Sequence, residues 1–194
     1  KIEAVDGASD SKVELIETVS LTFELSDHSY KLANKTAKLT IIDDDFGNPI
    51  SAGGSHTCAL LNNGLVKCWG NGTNGQLGHN EQASAYANKI TPTLTAALGK
   101  GAAQIVTGSD HTCALLNDGS AKCWGKGTDG QLGDGNTNDK NPSPVAVNFA
   151  LGKKAVQLAA GSNHTCAVLN DGKVACWGAG GSGQIGDGNK TAKN

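Results

Sequence analysis

The sequence predicts an all-β chain dominated by three blades of propeller or stacked-repeat type, and three observations carry that prediction. One segment recurs three times: from His56 it reads HTCALLNNGLVKCWGNGTNGQLG, from His111 HTCALLNDGSAKCWGKGTDGQLG and from His164 HTCAVLNDGKVACWGAGGSGQIG, with periods of 55 and then 53 residues. Within each copy two short apolar runs flank Asn-Asn-Gly or Asn-Asp-Gly, a hairpin signal because these residues tolerate positive φ. Helical periodicity is absent almost throughout, and only the alanine-rich Thr93–Gly101 suits a helical turn or two. Several short strands per unit of about 50 residues, punctuated by glycine turns, are the mark of a propeller blade or a stacked β repeat.

The elements before the repeats are different in kind. Residues 1–50 carry 5 lysines against 10 acids, whereas residues 51–194 carry 11 against 8 and hold all 6 cysteines and all 3 tryptophans. This shift, together with the breakers Gly47, Asn48 and Pro49, divides the chain into a domain over 1–45, a linker over 46–50 and repeats over 51–194. The repeats run at about 46–100, 101–153 and 154–194. Val19, Leu21, Phe23 and Leu25 alternate with polar residues and predict a half-buried strand; Ala37, Leu39 and Ile41 predict a second, and Ile2–Val5 is a candidate third. Glu14-x-x-Glu17, followed by TVSLTFELS and closed by LTIIDDD, resembles the C-terminal half of a Calx-β domain. The resemblance implies a partial immunoglobulin-like sandwich and calcium held by acids at Glu14, Glu17, Asp43, Asp44 and Asp45. Crowded carboxylates repel unless a cation neutralises them, and a hard cation suits oxygen ligands. The alternative is a solvated, charged boundary with no ion.

Each repeat opens with a short apolar stretch ending in glycine: Gln104–Gly108, Gln157–Gly161 and, more loosely, Pro49–Gly53. The HTCALLNDG–KCWG–GQLGDG pattern that follows is similar to the repeat of the regulator of chromosome condensation family, in its cysteine-bearing, bacterial-type form, across residues 46–194. That resemblance implies β-propeller blades of four strands, normally seven to a ring, which three copies cannot close. If the hairpin turn centres on Asn63, Cys58 and Cys68 are directly opposed, and the same arithmetic pairs Cys113 with Cys123 and Cys166 with Cys176. Opposed strand positions lie within disulfide range, and closing such a loop stabilises a fold by roughly 2–3 kcal/mol in the chain-entropy model. Free buried thiols, or a metal held by Cys with His56, His111 and His164, are the alternatives. The histidines are otherwise expected to hydrogen-bond within the blade, and Trp69, Trp124 and Trp177 to pack between blades.

Two motifs are decoys. Gly70, Gly72 and Gly75 spell G-x-G-x-x-G, as do Gly125, Gly127, Gly130 and Gly178, Gly180, Gly183, but no helix pattern follows to receive a pyrophosphate. Asp134–Asp139 resembles the start of a calcium loop yet lacks its sixth-position glycine and twelfth-position glutamate.

The functional expectation follows. All 16 basic residues are lysine and the net charge is −2, which gives no footprint for nucleic acid. No apolar run is long enough to span a membrane, no catalytic constellation is present, and the absent initiator methionine marks a processed or excerpted chain. Paired cysteines point to an oxidising compartment. The sequons Asn34, Asn71, Asn163 and Asn189 are glycosylation candidates. The expected role is a non-catalytic extracellular or cell-surface module of a larger or filament-forming protein. It would bind a protein partner or copies of itself through blade loops and β contacts at residues 1–45. Guanine-nucleotide exchange on a small GTPase, which the resemblance to the propeller family implies, is the alternative.

Overall fold

A computed structural model describes residues 50–79, 87–138, 140–150 and 152–193, with the backbone pairing of two short strands before them. The chain divides into two units, Lys1–Phe46 and Gly47–Asn194. In the first, β1 (Thr18–Val19) runs antiparallel to β2 (Leu39–Thr40), with Val19 opposite Leu39. The candidate strand at Ile2–Val5, the acids Glu14, Glu17, Asp43, Asp44 and Asp45, and Asn34 lie outside the described residues.

The second unit holds three antiparallel sheets, each laid out in chain order. The first blade is β3 (Ile50–Ala52), β4 (His56–Leu60), β5 (Val66–Gly70) and β6 (Lys89–Leu94). The second is β7 (Ala102–Thr107), β8 (His111–Leu116), β9 (Ala121–Lys126) and β10 (Lys140–Ala146). The third is β11 (Ala155–Ala160), β12 (His164–Leu169) and β13 (Val174–Gly178), with one bridge from Gly178 to Lys193. That bridge falls where Gly70 meets Lys89 and Gly125 meets Asn141 in the fuller blades. The segment Thr93–Gly101 is not helical: it finishes β6 at Leu94 and continues in bends. Its amides are already taken, Thr95 N–H by the Val66 carbonyl at 3.0 Å and Ala96 N–H by the Gly78 carbonyl at 2.7 Å.

Each hairpin closes on the expected tripeptide. Leu61 N–H bonds the Leu65 carbonyl at 2.8 Å, Gly64 N–H bonds the Leu61 carbonyl at 2.8 Å, and Gly64 takes the positive φ of 76°. This is a three-residue loop ending in a left-handed glycine. The loop fixes the register, so Cys58 faces Cys68, Cys113 faces Cys123 and Cys166 faces Cys176. All three pairs are disulfide-bonded with Cα atoms 4.1 Å apart, and no free cysteine remains. The metal alternative therefore has no thiolates to offer.

The core lies between blades. Cys58, Leu60, Val66, Cys68 and Leu77 of the first blade meet Ala102, Ile105, Ala114, Leu116 and Trp124 of the second. Cys113, Leu115, Ala121, Cys123 and Leu132 of the second meet Ala155, Leu158, Ala167, Leu169 and Trp177 of the third. The middle blade is covered on both faces, which is why every residue of β8 is buried while β4 alternates.

Candidate interaction surface

The contacts that join blades are polar as well as apolar, and they repeat. Gln76 sits in the turn of the GTNGQLG segment, fully buried, with its Oε1 accepting the Asn74 N–H at 2.9 Å. Its carbonyl receives two donors from the next blade, the Trp124 indole N–H at 2.9 Å and the Thr112 hydroxyl at 2.8 Å. Having given its hydrogen away, the Thr112 oxygen accepts from His56 Nε2 at 2.8 Å, so His56 carries its proton on Nε2. The second junction copies the first: Trp177 N–H and the Thr165 hydroxyl reach the Gln131 carbonyl at 2.9 and 3.2 Å, and His111 Nε2 meets Thr165 Oγ1 at 2.9 Å.

This corrects one expectation. His56 and His111 bond across to the neighbouring blade rather than within their own, because β4 and β8 turn that face toward the next sheet. Burial pushes both imidazoles down, to about 4. For His56 a nearby Asp110 partly opposes the shift, and for His111 the neighbouring His56 and His164 add to it. Neutral rings result at physiological pH, and the Nδ1 atoms of both have no hydrogen-bond partner among the described residues.

Trp124 and Trp177 pack between blades as expected, each on a glycine of the blade before, whereas Trp69 is half-buried and has no such seat among the described residues. Gly78 has φ +72°, and a Cβ there would lie 2.7 Å from Trp124 Nε1; Gly133 has φ +68° and stands in the same relation to Trp177 at 2.7 Å. A side chain at either glycine would collide with the indole and strain the backbone. Phe149 adds an edge-on contact to Trp177 at 6.0 Å between ring centroids. On the first strands, Gln104 acts as a short strand segment of its own, donating Nε2–H to the Leu158 carbonyl at 3.0 Å and accepting the Leu158 N–H at 2.8 Å. Bulges at Ala102–Gln104 and Ala155–Gln157 set this side chain at the edge. Sequence reasoning missed the glutamine and threonine roles. The available signal was the recurrence of Gln76, Gln131 and Gln184, and of Thr57, Thr112 and Thr165, at the same places in all three copies.

Among the described residues, two outer faces lack these partners. On the first blade, Trp69 is only half-buried and Ile50 is 58% exposed, whereas Trp124 is 0% and Ile105 1% exposed at the matching places. On the third blade, Val174 is 66% exposed where Val66 is 1%.

The remaining motifs are local. The glycine triplets form turns, Gly72 backing onto the Ala87 carbonyl. Asp134 Oδ1 caps the Asn136 N–H at 3.0 Å while its carbonyl accepts Asn148 Nδ2 at 2.7 Å. Among the described residues no three His, Cys, Asp or Glu side chains gather as a metal site. Asn71 holds the Thr73 N–H and hydroxyl with its own side-chain oxygen, Asn189 is exposed, and the Asn163 sequon ends in the buried Thr165. An open depression of about 470 Å³ lies along Asn63–Val66 and Leu94–Gly101 and holds no acid–base pair. No helix among the described residues is long and apolar enough to cross a membrane.

Comparison with known proteins bears on the repeats. Residues 118–168 match the regulator of chromosome condensation (RCC1) repeat, and a second form of the same repeat matches residues 50–76, 102–131 and 155–184. The chain is 36% identical over 145 residues to the ultraviolet-B receptor UVR8 of Arabidopsis thaliana, covering 75% of this chain and 32% of the receptor. It is 33% identical over 138 residues to the X-linked retinitis pigmentosa GTPase regulator of Mus musculus, covering 71% of this chain and 13% of that protein. The chain thus spans a third or less of the length of these relatives. Prp20p from Saccharomyces cerevisiae superposes with a TM-score of 0.61 at 27% identity, over 72% of this chain and 34% of Prp20p. Human WBSCR16 shares the fold with a TM-score of 0.67 at 23% identity, over 88% of this chain and 41% of its own. With three sheets in one register, joined by one recurring set of contacts and matched by these relatives, the chain belongs, through residues 50–184, to the family of regulator of chromosome condensation (RCC1) repeats.

Proposed function

We propose that the chain is a non-catalytic protein-binding module of a larger protein, working outside the cell or at its surface. The observation that carries this reading is the disulfide inside every hairpin, since such bonds persist in oxidising compartments and are rare where thiols are kept reduced. Rigid blades that present connections of unequal length suit recognition, and the segments between β5 and β6 (71–88) and between β9 and β10 (127–139) differ in length and content. The buried histidines are occupied by structural bonds, which supports a scaffold rather than acid–base work. The segment over 1–45 is read as a Calx-β-like half domain whose ion, if one is held, is calcium at Glu14, Glu17 and Asp43–Asp45.

The experiment is alkylation of the protein as isolated from its own host, followed by mass mapping. Three intact pairs within hairpins support the reading. Six alkylated thiols overturn it and favour the second reading, binding of a small GTPase. That alternative draws on the solved structure of Prp20p, whose description concerns its binding to Gsp1p and histones, and on a relative named as a GTPase regulator. Calorimetric titration of the whole chain with calcium tests the acidic segment. Binding that is lost in Asp44→Ala and Glu17→Ala is expected, and unchanged affinity in both overturns the assignment.

A further inference from the structure

All three Asn-Gly steps of the chain fall in the first repeat: Asn63-Gly64, Asn71-Gly72 and Asn74-Gly75. A glycine after asparagine leaves its nitrogen uncrowded, so that nitrogen can attack the side-chain amide carbon. The fold treats the three steps differently. Gly72 is buried, donates its N–H to Asn88 Oδ1 at 3.1 Å, and lies so close to the Ala87 carbonyl that a Cβ would stand 2.2 Å from it. Gly75 is buried as well, with its N–H on the Gly72 carbonyl at 2.8 Å and the Pro142 backbone against it. Asn63 instead is exposed at the tip of the first hairpin. Its Oδ1 accepts the Leu65 N–H at 3.1 Å, which closes a ring of atoms containing the Gly64 nitrogen and folds the amide back over it. Gly64 is anchored to the second blade through its carbonyl, which accepts the Ala102 N–H at 2.9 Å. Its own N–H is held by the Leu61 carbonyl at 2.8 Å, within the three-residue loop. Opening that one loop frees the nucleophile, whereas Gly72 and Gly75 need neighbouring segments to part.

We propose that Asn63 is a modification site that deamidates through a succinimide ring, converting the first hairpin turn to the acidic form the other two blades already carry. The Gly64 nitrogen bonds to Asn63 Cγ and the Cγ–Nδ2 bond breaks. The proton of the attacking nitrogen passes through solvent to the departing one, which leaves as ammonia. Water then opens the ring. Cleavage at Cγ leaves an aspartate, and cleavage at the main-chain carbonyl leaves an isoaspartate, whose chain runs through the former side chain. The turn accepts the first product: Asp118 and Asp171 stand at the same place, their Oδ1 atoms taking the Ser120 and Lys173 N–H at 3.1 and 3.2 Å as Asn63 takes that of Leu65. Those two acids do not close the ring themselves. Hydrogen bonds from Lys100 and Lys153 hold them below the usual carboxylate range, and an ionised carboxylate has no leaving group to lose. The isoaspartate adds a backbone methylene to the loop, and the Cys58–Cys68 bond keeps the strands of that hairpin paired as it does so. The new charge falls on the rim of the depression along Asn63–Val66 and Leu94–Gly101, which therefore turns more acidic as the molecule ages. The step needs only water, so it is independent of the compartment and partner proposed above.

Peptide mapping of the 194-residue chain during incubation at mildly alkaline pH is the test, with electron-transfer fragmentation to tell isoaspartate from aspartate. Asn63 should lose its amide about tenfold faster than Asn71 and Asn74, the ratio expected when the slower sites need a further local opening. Both isomers should appear at position 63. In the reduced, urea-unfolded chain the three steps should convert at similar rates, which assigns the selectivity to the fold. Asn63→Gln, which would need a slower six-membered ring, should stay unmodified at that position, and Asn63→Asp should melt close to wild type. Conversion of Asn71 or Asn74 as fast as Asn63 in the folded chain overturns the proposal. So does an Asn63 that persists in the folded chain while the unfolded chain converts. Aspartate without isoaspartate, the result of direct hydrolysis, overturns the ring mechanism, and an Asn63→Asp variant that melts well below wild type overturns the claim that the turn accepts its product.

Discussion

His56 and His111 are held where a positive charge is disfavoured. Their pKa falls from 6.5 to about 4 on folding, chiefly through burial. The unfolded chain therefore takes up protons first as pH drops. The stability these neutral rings represent is intact above about pH 6.5 and is lost progressively as pH falls toward 4. The loss is on the order of 3 kcal/mol per histidine at most. Thermal melts across that window should show a steady fall in Tm, and a flat profile would contradict the buried, neutral assignment. The carboxylates with lowered pKa titrate below this window. Asp118 is held down by Lys100, and Asp187, hydrogen-bonded by Lys193, sits at about 2. Thr112 gives a second prediction. Thr112→Val strands the His56 N–H and leaves the Gln76 carbonyl with the indole alone, which should cost about 1–3 kcal/mol in urea unfolding. Thr57→Val in the first blade, where the hydroxyl has no partner among the described residues, should cost far less.

At the scale of the element, the hairpin is the unit that folds and the junction is the unit that packs. Removing one disulfide, as in Cys113→Ala with Cys123→Ala, should lower stability by about 2–4 kcal/mol, the chain-entropy term for a loop of this size plus a small cavity. Gly133→Val should cost as much or more, because a Cβ would lie 2.7 Å from Trp177 Nε1 at a positive φ. Differential scanning calorimetry of either variant reads the loss. These two cases also mark what the sequence could reveal. Cys113, Cys123 and the Asn-Asp-Gly between them lie within one hairpin, so register and pairing follow from counting. Thr165, the partner of His111, lies 54 residues away on another sheet, and no local pattern couples the two. The expectation of bonds within the blade failed there, because only assembly of the sheets decides which face a histidine turns to which neighbour. Thr93–Gly101 failed for a related reason, since alanine content favours a helix only where the amides are not claimed by a strand edge.

For the whole molecule, each blade owes its stability to its neighbours, and the three do not have equal numbers of them. The second blade is covered on both faces, whereas the first and third have one covered face each among the described residues. In stacked repeats, stability is close to a sum of unit and neighbour terms. Hydrogen exchange should therefore be slowest in β8 and β9 and faster in β3 and β13. Uniform protection across the three blades would show that something covers the outer faces in solution, and exchange measured over a concentration series would reveal whether that cover is another copy.

The seat of each tryptophan has a consequence for how such a chain can lengthen. The indole that plugs the previous blade and the glycine that receives the next indole lie nine residues apart within the same unit, Trp124 and Gly133 in the second blade. A duplicated unit therefore arrives with both of its fittings already made, and neither neighbour must change to admit it. Loss of a unit likewise brings together two blades whose knob and socket already match. Copy number is then free to drift by gain and loss of whole units, while the loops on each blade diverge without disturbing the joints.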